Sequence, residues 1–258
     1  MKFKGNFLKI LAKTSFLLSI SLVTFSSLIY LYSQRGLLIR YLYPQYRADE
    51  NIDESNSDRL TAKKIMNGGY ILHFRHAERD KWIDVQMYDS LESDLHSNGE
   101  NQSRYAEKDY FKNAVCLNER GLIQAKAIGE HLKNIQLPIG NVISSPSCRS
   151  RQTADIAFGG YNKLLRDLVH VGPYSEKKEQ RTNKLIDLYS NLPIFEGKNT
   201  IVSSHNGVIH SEMFENNNDP NLSLEEGGFY VISNKGGKLL LEHEYNNFNN
   251  FIKLFYER

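Results

Sequence analysis

The chain has 258 residues, 24% of them charged, a formal net charge of +2 and two cysteines. That length fits one globular domain with an appendage. The near-neutral balance excludes the basic footprint of a nucleic-acid binder, and Cys116 and Cys148 match no zinc-site spacing.

In chain order, Lys2, Lys4, Lys9 and Lys13 precede an uncharged, largely apolar run over 15–32. A bilayer-spanning helix needs about 20 mostly apolar residues, and the run with its flanks meets that length. Tyr30 and Tyr32 suit a membrane interface. No small-x-small cleavage site follows, so the run reads as an uncleaved signal anchor over 15–34 behind a basic tail of 1–14. Arg35, Arg40 and Arg47 blunt the charge asymmetry across the span. The orientation favoured here is single-pass, with the bulk of the chain outside the cytoplasm, in a periplasmic setting. Residues 35–57 read as a juxtamembrane segment and linker, and 58–258 as the folded domain.

Within that domain Ser57-Asp58 caps a short helix through Leu60, Ala62 and Ile65, which Gly68-Gly69 ends. A β-prone run over 70–74 follows and stops at Arg75-His76-Ala77-Glu78-Arg79. Residues 81–113 are polar and irregular with scattered aromatics (Trp82, Tyr88, Tyr105, Tyr110, Phe111). They read either as a folded, substrate-facing insert or as a solvated loop. Asn118-Glu119-Arg120-Gly121 opens a helix with Leu122, Ala125, Ile128 and Leu132 on one face. A second strand over 141–145 is stopped by Pro146, and a helix from 147 ends near Gly159-Gly160. A third strand over 199–204 ends at His205-Asn206-Gly207, with a further helix expected to about Glu215. Strands over 229–233 and 238–243 close the chain. This alternation predicts an α/β fold, a three-layer α/β/α sandwich with a largely parallel central sheet, preceded by one N-terminal transmembrane helix.

Three predicted strand tips carry Arg75-His76, Arg149 and His205. Arginine grips phosphate through a rigid fork of donors, and neutral imidazole can attack phosphorus. The motifs in this order resemble the histidine phosphatase, or phosphoglycerate mutase-like, superfamily. Its Arg-His-Gly signature is similar to Arg75-His76-Ala77, and its Leu-Thr-Glu-Arg-Gly helix start to Leu117-Asn118-Glu119-Arg120-Gly121. Its Ser-Ser-x-x-x-Arg-x-x-Gln-Thr-Ala block resembles Ser144 to Ala154, and its late Ser-His-Gly resembles Ser204-His205-Asn206-Gly207 with an inserted Asn. Within the superfamily the chain most resembles the branch that includes lipopolysaccharide core heptose phosphatases.

The resemblance implies a phosphomonoester hydrolase. His76 would be the nucleophile, Arg75 and Arg149 would neutralise the phosphoryl oxygens, and His205 would donate a further hydrogen bond. For the general acid Glu176 ranks first and Asp167 second; an acid directly after the late His is ruled out by Asn206. Arg151, Arg166 and His170 are candidates for the substrate side. His73 and His76, three apart in a strand, face opposite sides, so neither a metal nor another cofactor is expected. The implied substrate is a small-molecule or glycan phosphomonoester, with the membrane as the other partner and no nucleic acid. Alternatives on the same fold are a phosphohistidine-protein phosphatase, a mutase-like enzyme, or a catalytically idle phosphate binder. Cys116 and Cys148 form a disulfide if the domain is extracytoplasmic, and two buried thiols if it is not.

Overall fold

The computed structural model describes residues 51–80, 115–170, 177–217, 219 and 221–256, with side chains from Ser57 onward. The expected anchor over 15–34, most of the juxtamembrane segment, the insert over 81–113 and Glu176 lie outside the described residues. Among the described residues, no helix is long and apolar enough to cross a membrane. The chain divides into two units, Met1–Asn56 and Ser57–Arg258. The architecture below is that of the second, with the backbone of its first helix beginning at Asn51.

Helix α1 (Asn51–Met66) leads into β1 (Ile71–Arg75), and α2 (Glu119–Asn134) into β2 (Ile139–Ser144). Next come α3 (Cys148–Phe158), the two-residue β3 (Lys163–Leu164) and a 3₁₀ turn at Arg166–Leu168. Helix α4 (Lys178–Ser190) precedes β4 (Asn199–Ser204), and the chain ends with β5 (Phe229–Lys235), β6 (Lys238–Tyr245) and α5 (Phe248–Tyr256).

The six strands form one sheet in the order β3-β2-β4-β1-β5-β6. The first four run parallel, whereas β5 joins β1 antiparallel and β6 joins β5 antiparallel. The sheet is therefore mixed rather than largely parallel. For β6 the reason is local: Lys235-Gly236-Gly237-Lys238 is a tight hairpin with both glycines at positive φ, 67° and 88°, too short for a crossover.

Side-chain alternation builds a core on each face. Leu72 and Phe74 of β1, Ile201 of β4 and Phe229 and Val231 of β5 pack against Ala62 and Ile65 of α1, Ile128 and Leu132 of α2, Ala154 of α3 and Phe251 of α5. Ile71, Val202, Tyr230 and Ile232 point the other way, onto Leu185 and Tyr189 of α4 and the loops around Leu168 and Met213. Phe74 stacks on Phe229 at 4.5 Å between ring centroids.

Several boundaries differ from expectation. The first helix begins at Asn51, so Ser57-Asp58 lies inside it, and the expected linker to 57 is helical in its last residues. In α2 the inward residues are Gly121, Ala125, Ile128 and Leu132, while Leu122 is exposed. Gly121 is required there because a Cβ would sit 1.9 Å from the Glu78 carbonyl oxygen. The helix expected after His205 is replaced by two 3₁₀ turns, Asn206–Val208 and Ser211–Met213. Val208, Ile209, Met213 and Phe214 are all buried there, which an irregular path packs more closely than a one-faced helix.

Candidate active site

The parallel strands β1, β4 and β2 end side by side, which is where α/β sheets collect their chemistry. Arg75 pairs with Ser204 across the β1–β4 ladder, and the His76 amide continues it by donating to the Ser204 carbonyl at 2.9 Å. The Ser145 amide likewise donates to the Ser203 carbonyl at 2.9 Å. The backbone itself thus sets His76, His205 and Ser145 at neighbouring tips. Ser147 stands at the N-cap position of α3 with its hydroxyl turned to Ser150 and His205, the first turn supplies Arg149, and Gly159 ends that helix in the left-handed conformation.

His76 is buried, and its Nδ1 lies 2.7 Å from the Ala77 carbonyl. A carbonyl only accepts, so Nδ1 carries the proton and Nε2 keeps its lone pair. Burial, then the Arg149 charge and further the Arg75 and Arg79 charges, push the pKa of His76 well below the usual histidine range. The imidazole is a neutral base with a defined tautomer. Ala77 donates its amide to Thr153 Oγ1 at 2.9 Å, and Thr153 donates in turn to the Arg149 carbonyl at 2.8 Å, which ties the loop after His76 to α3.

Arg149 is 1% exposed. Its Nη2 faces His205 Nδ1 at 3.1 Å and its Nη1 faces the Val115 carbonyl at 3.5 Å. Since guanidinium only donates, Nδ1 of His205 is the acceptor and Nε2 carries the proton. That proton is aimed at Ser147 Oγ (3.0 Å) and Ser145 Oγ (3.1 Å). Burial first, then Arg149 and the neighbouring histidines, hold the His205 pKa well below its ordinary value. The rings of His76 and His205 stand edge to face at 5.3 Å, and His170 meets His205 edge-on at 5.9 Å.

Arg75 is held differently. Its Nη1 donates to the Leu224 carbonyl, and its Nη2 pairs with Glu226 Oε1 at 3.1 Å. It lines a cleft of about 530 Å³ together with Glu78, Gln124, Ser223, Glu226 and Asn246. Glu78 accepts from Asn118 Nδ2 at 3.2 Å and pairs with Arg120, so the Asn-Glu-Arg-Gly helix start braces the segment after His76.

Of the expected residues, the structure therefore gathers His76, Arg149, His205 and His170, with Arg75 flanking them at the cleft. Arg151 is buried, but its Nε donates to the Pro146 carbonyl at 2.8 Å and secures the strand-to-helix turn. Arg166 and Asp167 are exposed on their 3₁₀ turn, and the Asp167 carbonyl accepts from Arg181 at 3.1 Å. Cys116 and Cys148 are joined in a disulfide. Among the described residues, no cluster of three or more His, Cys, Asp or Glu could hold a metal ion.

The reading from sequence missed the serines around His205, signalled by three hydroxyls within Ser144-Ser145-Pro146-Ser147. It weighed His73 only as a metal ligand, discounted it, and missed its place under His205. His73 is fully buried beneath the site, with Nε2 donating to the His205 carbonyl at 3.1 Å and Nδ1 facing the Tyr189 hydroxyl. Burial lowers its pKa to about 4. Period-two alternation did point to it, because His73 shares the inward face of Ile71.

A neutral imidazole with a free Nε2, beside a buried arginine at parallel strand tips, defines a site suited to a phosphoryl group. A family model described as the histidine phosphatase superfamily (branch 1) matches residues 71–168. Over that stretch, which holds Arg75, His76 and Arg149, the chain is similar to the histidine phosphatase superfamily. Comparison with curated proteins finds no match. Among solved structures, the protein histidine phosphatase SixA complexed with tungstate aligns at 15% identity over 68% of this chain and 96% of its own, with a TM-score of 0.43. A putative alpha-ribazole-5'-P phosphatase from Escherichia coli aligns at 14% identity over 68% of this chain and 95% of its own, with a TM-score of 0.45. Bacillus stearothermophilus YhfR aligns at 16% identity over 70% and 98%, with a TM-score of 0.44.

Proposed function

We propose that the protein hydrolyses phosphomonoesters through a phosphohistidine on His76. The observation that carries this reading is the hydrogen bond from His76 Nδ1 to the Ala77 carbonyl, which leaves Nε2 unprotonated in a buried, cationic setting. Nε2 attacks phosphorus as the ester P–O bond breaks, and the leaving oxygen takes a proton from the general acid, assigned first to Glu176 and second to Asp167. Water then attacks phosphorus, the N–P bond breaks, and its proton returns to that carboxylate. Arg149 and Arg75 offset charge on the phosphoryl oxygens. His205, neutral and bonded to Ser145 and Ser147, completes the donor set directly or through those hydroxyls.

The substrate class that accompanies this reading is a phosphorylated sugar or envelope glycan. The cleft beside Arg75 supports it, with carboxylate, amide and hydroxyl groups that can bond a hydroxyl-rich leaving group. We assign the protein to a membrane, through the 15–34 anchor, with the catalytic domain in an oxidising extracytoplasmic compartment. The Cys116–Cys148 disulfide supports that compartment.

Hydrolysis of p-nitrophenyl phosphate by wild type and His76→Ala, with chelator present, tests the mechanism. The expected result is chelator-resistant turnover that His76→Ala abolishes, with acid-labile phosphate trapped on the wild type. Turnover that survives His76→Ala would refute it.

A further inference from the structure

The Cys116–Cys148 disulfide lies next to the chemistry rather than at the margin of the fold. Both half-cystines are 2% exposed. Cys148 is the first residue of α3 and Arg149 the next, so the bond fixes the backbone from which that arginine springs. On its other side Cys116 follows Val115, whose carbonyl faces Arg149 Nη1 at 3.5 Å. One covalent bond thus holds both the base of the side chain and an acceptor for its guanidinium.

A hydrogen bond joins the same two segments. Gln152 Oε1 accepts from the Leu117 amide at 2.8 Å, one turn further along α3. The two cysteines stand 32 positions apart in sequence with all of α2 and β2 between them, so the bond closes a long stretch of chain. Arginine carries much rotamer freedom, and a guanidinium that must meet phosphoryl oxygens works best when that freedom is already removed.

We infer that the Cys116–Cys148 disulfide positions Arg149 for phosphate, so that its oxidation state sets the grip of the site on a phosphoryl group. This rests on the reading of His76 and Arg149 as the phosphoryl site. Reduction by a dithiol breaks the Sγ–Sγ bond and yields two thiols, taking up two electrons and two protons as the dithiol closes to its cyclic disulfide. A disulfide oxidant reverses the step.

The test uses the full chain, oxidised or held in dithiothreitol, with thiol titration to establish each state and circular dichroism to follow the fold. Inorganic phosphate affinity is measured by calorimetry, and kcat and KM are measured on p-nitrophenyl phosphate. The expected result is a native spectrum and phosphate affinity weakened about tenfold on reduction, the order of one charge-assisted hydrogen bond. KM should rise more than kcat falls.

Arg149→Lys, already weaker in the oxidised state, should lose nothing further on reduction. Cys116→Val with Cys148→Ala, which fills the space with apolar groups, should reproduce the reduced wild type without reductant. Equal weakening in wild type and Arg149→Lys, unchanged affinity with both thiols free, or loss of the native spectrum in both the reduced protein and the double variant would overturn the inference. The last would make the bond a general staple. Failure of the underlying reading looks different: oxidised wild type and Arg149→Lys would then bind phosphate equally, and turnover would survive His76→Ala.

Discussion

Acid should unfold this domain early, and His73 is the residue through which that can be measured. It is fully buried, with both ring nitrogens committed, and its pKa is lowered to about 4 by desolvation from the 6.5 of an exposed histidine. Between those values the unfolded chain binds a proton that the folded chain refuses. The contribution of His73 to stability is therefore fully present above pH 6.5 and lost as pH falls towards 4. At about pH 4.5 the linkage makes folding roughly 2.5 kcal/mol less favourable than at neutrality. His76 and His205, also held well below the ordinary value, act in the same direction. In His73→Gln the amide keeps a donor for the His205 carbonyl and an acceptor for Tyr189 but does not titrate. Urea unfolding of both proteins at pH 7 and pH 4.5 should show the variant losing about 2.5 kcal/mol less than wild type on acidification. Equal losses in the two proteins would refute the linkage.

Two further substitutions test the framework around the site. Gly121→Ala places a methyl group 1.9 Å from the Glu78 carbonyl oxygen, so α2 or the segment after His76 must move. We expect a loss of about 3 kcal/mol and a fall in Tm of several degrees, with a KM increase because Glu78 lines the cleft. Asn199→Ala removes a buried amide that donates to the carbonyls of Ile65 (2.8 Å) and Pro138 (3.1 Å) and accepts from the Tyr70 amide (3.2 Å). Its expected cost is about 2–4 kcal/mol in denaturant unfolding. Asn199→Asp should cost at least as much at neutral pH, because a carboxylate facing two carbonyls repels both.

What could be read from the sequence divides along physical lines. The strands expected over 70–74, 141–145 and 199–204 and the helices opened by Asn118 and Ser147 announced themselves through apolar runs, caps and breaks. Their tips therefore placed Arg75, His76, Arg149 and His205 in chain order. Helix α4 was harder to see because only Thr182, Leu185 and Tyr189 of its thirteen residues are buried, a thin stripe in a polar segment. Helix α5 was hidden by its asparagines, although Phe248, Phe251 and Ile252 carry the helical spacing. The antiparallel course of β6 followed from a glycine hairpin whose consequence for strand direction was not drawn, whereas that of β5 against β1 is a long-range pairing that no local signal sets. The serines that hold His205 and the Glu226 that holds Arg75 belong to the site only through long-range pairing, 58 and 151 residues apart in sequence.

The distance between the two site histidines is inherited rather than tuned. They leave adjacent parallel strands one step beyond the Arg75–Ser204 pair, and strands in any sheet lie about 4.8 Å apart. Their ring separation of 5.3 Å is close to that spacing. The hydrogen-bond ladder thus acts as a ruler, setting the two rings edge to face at contact distance. Inserting a single residue in β1 or β4 would leave the ruler intact but turn one imidazole to the opposite face. Such an insertion should abolish the site while leaving most of the sheet in place.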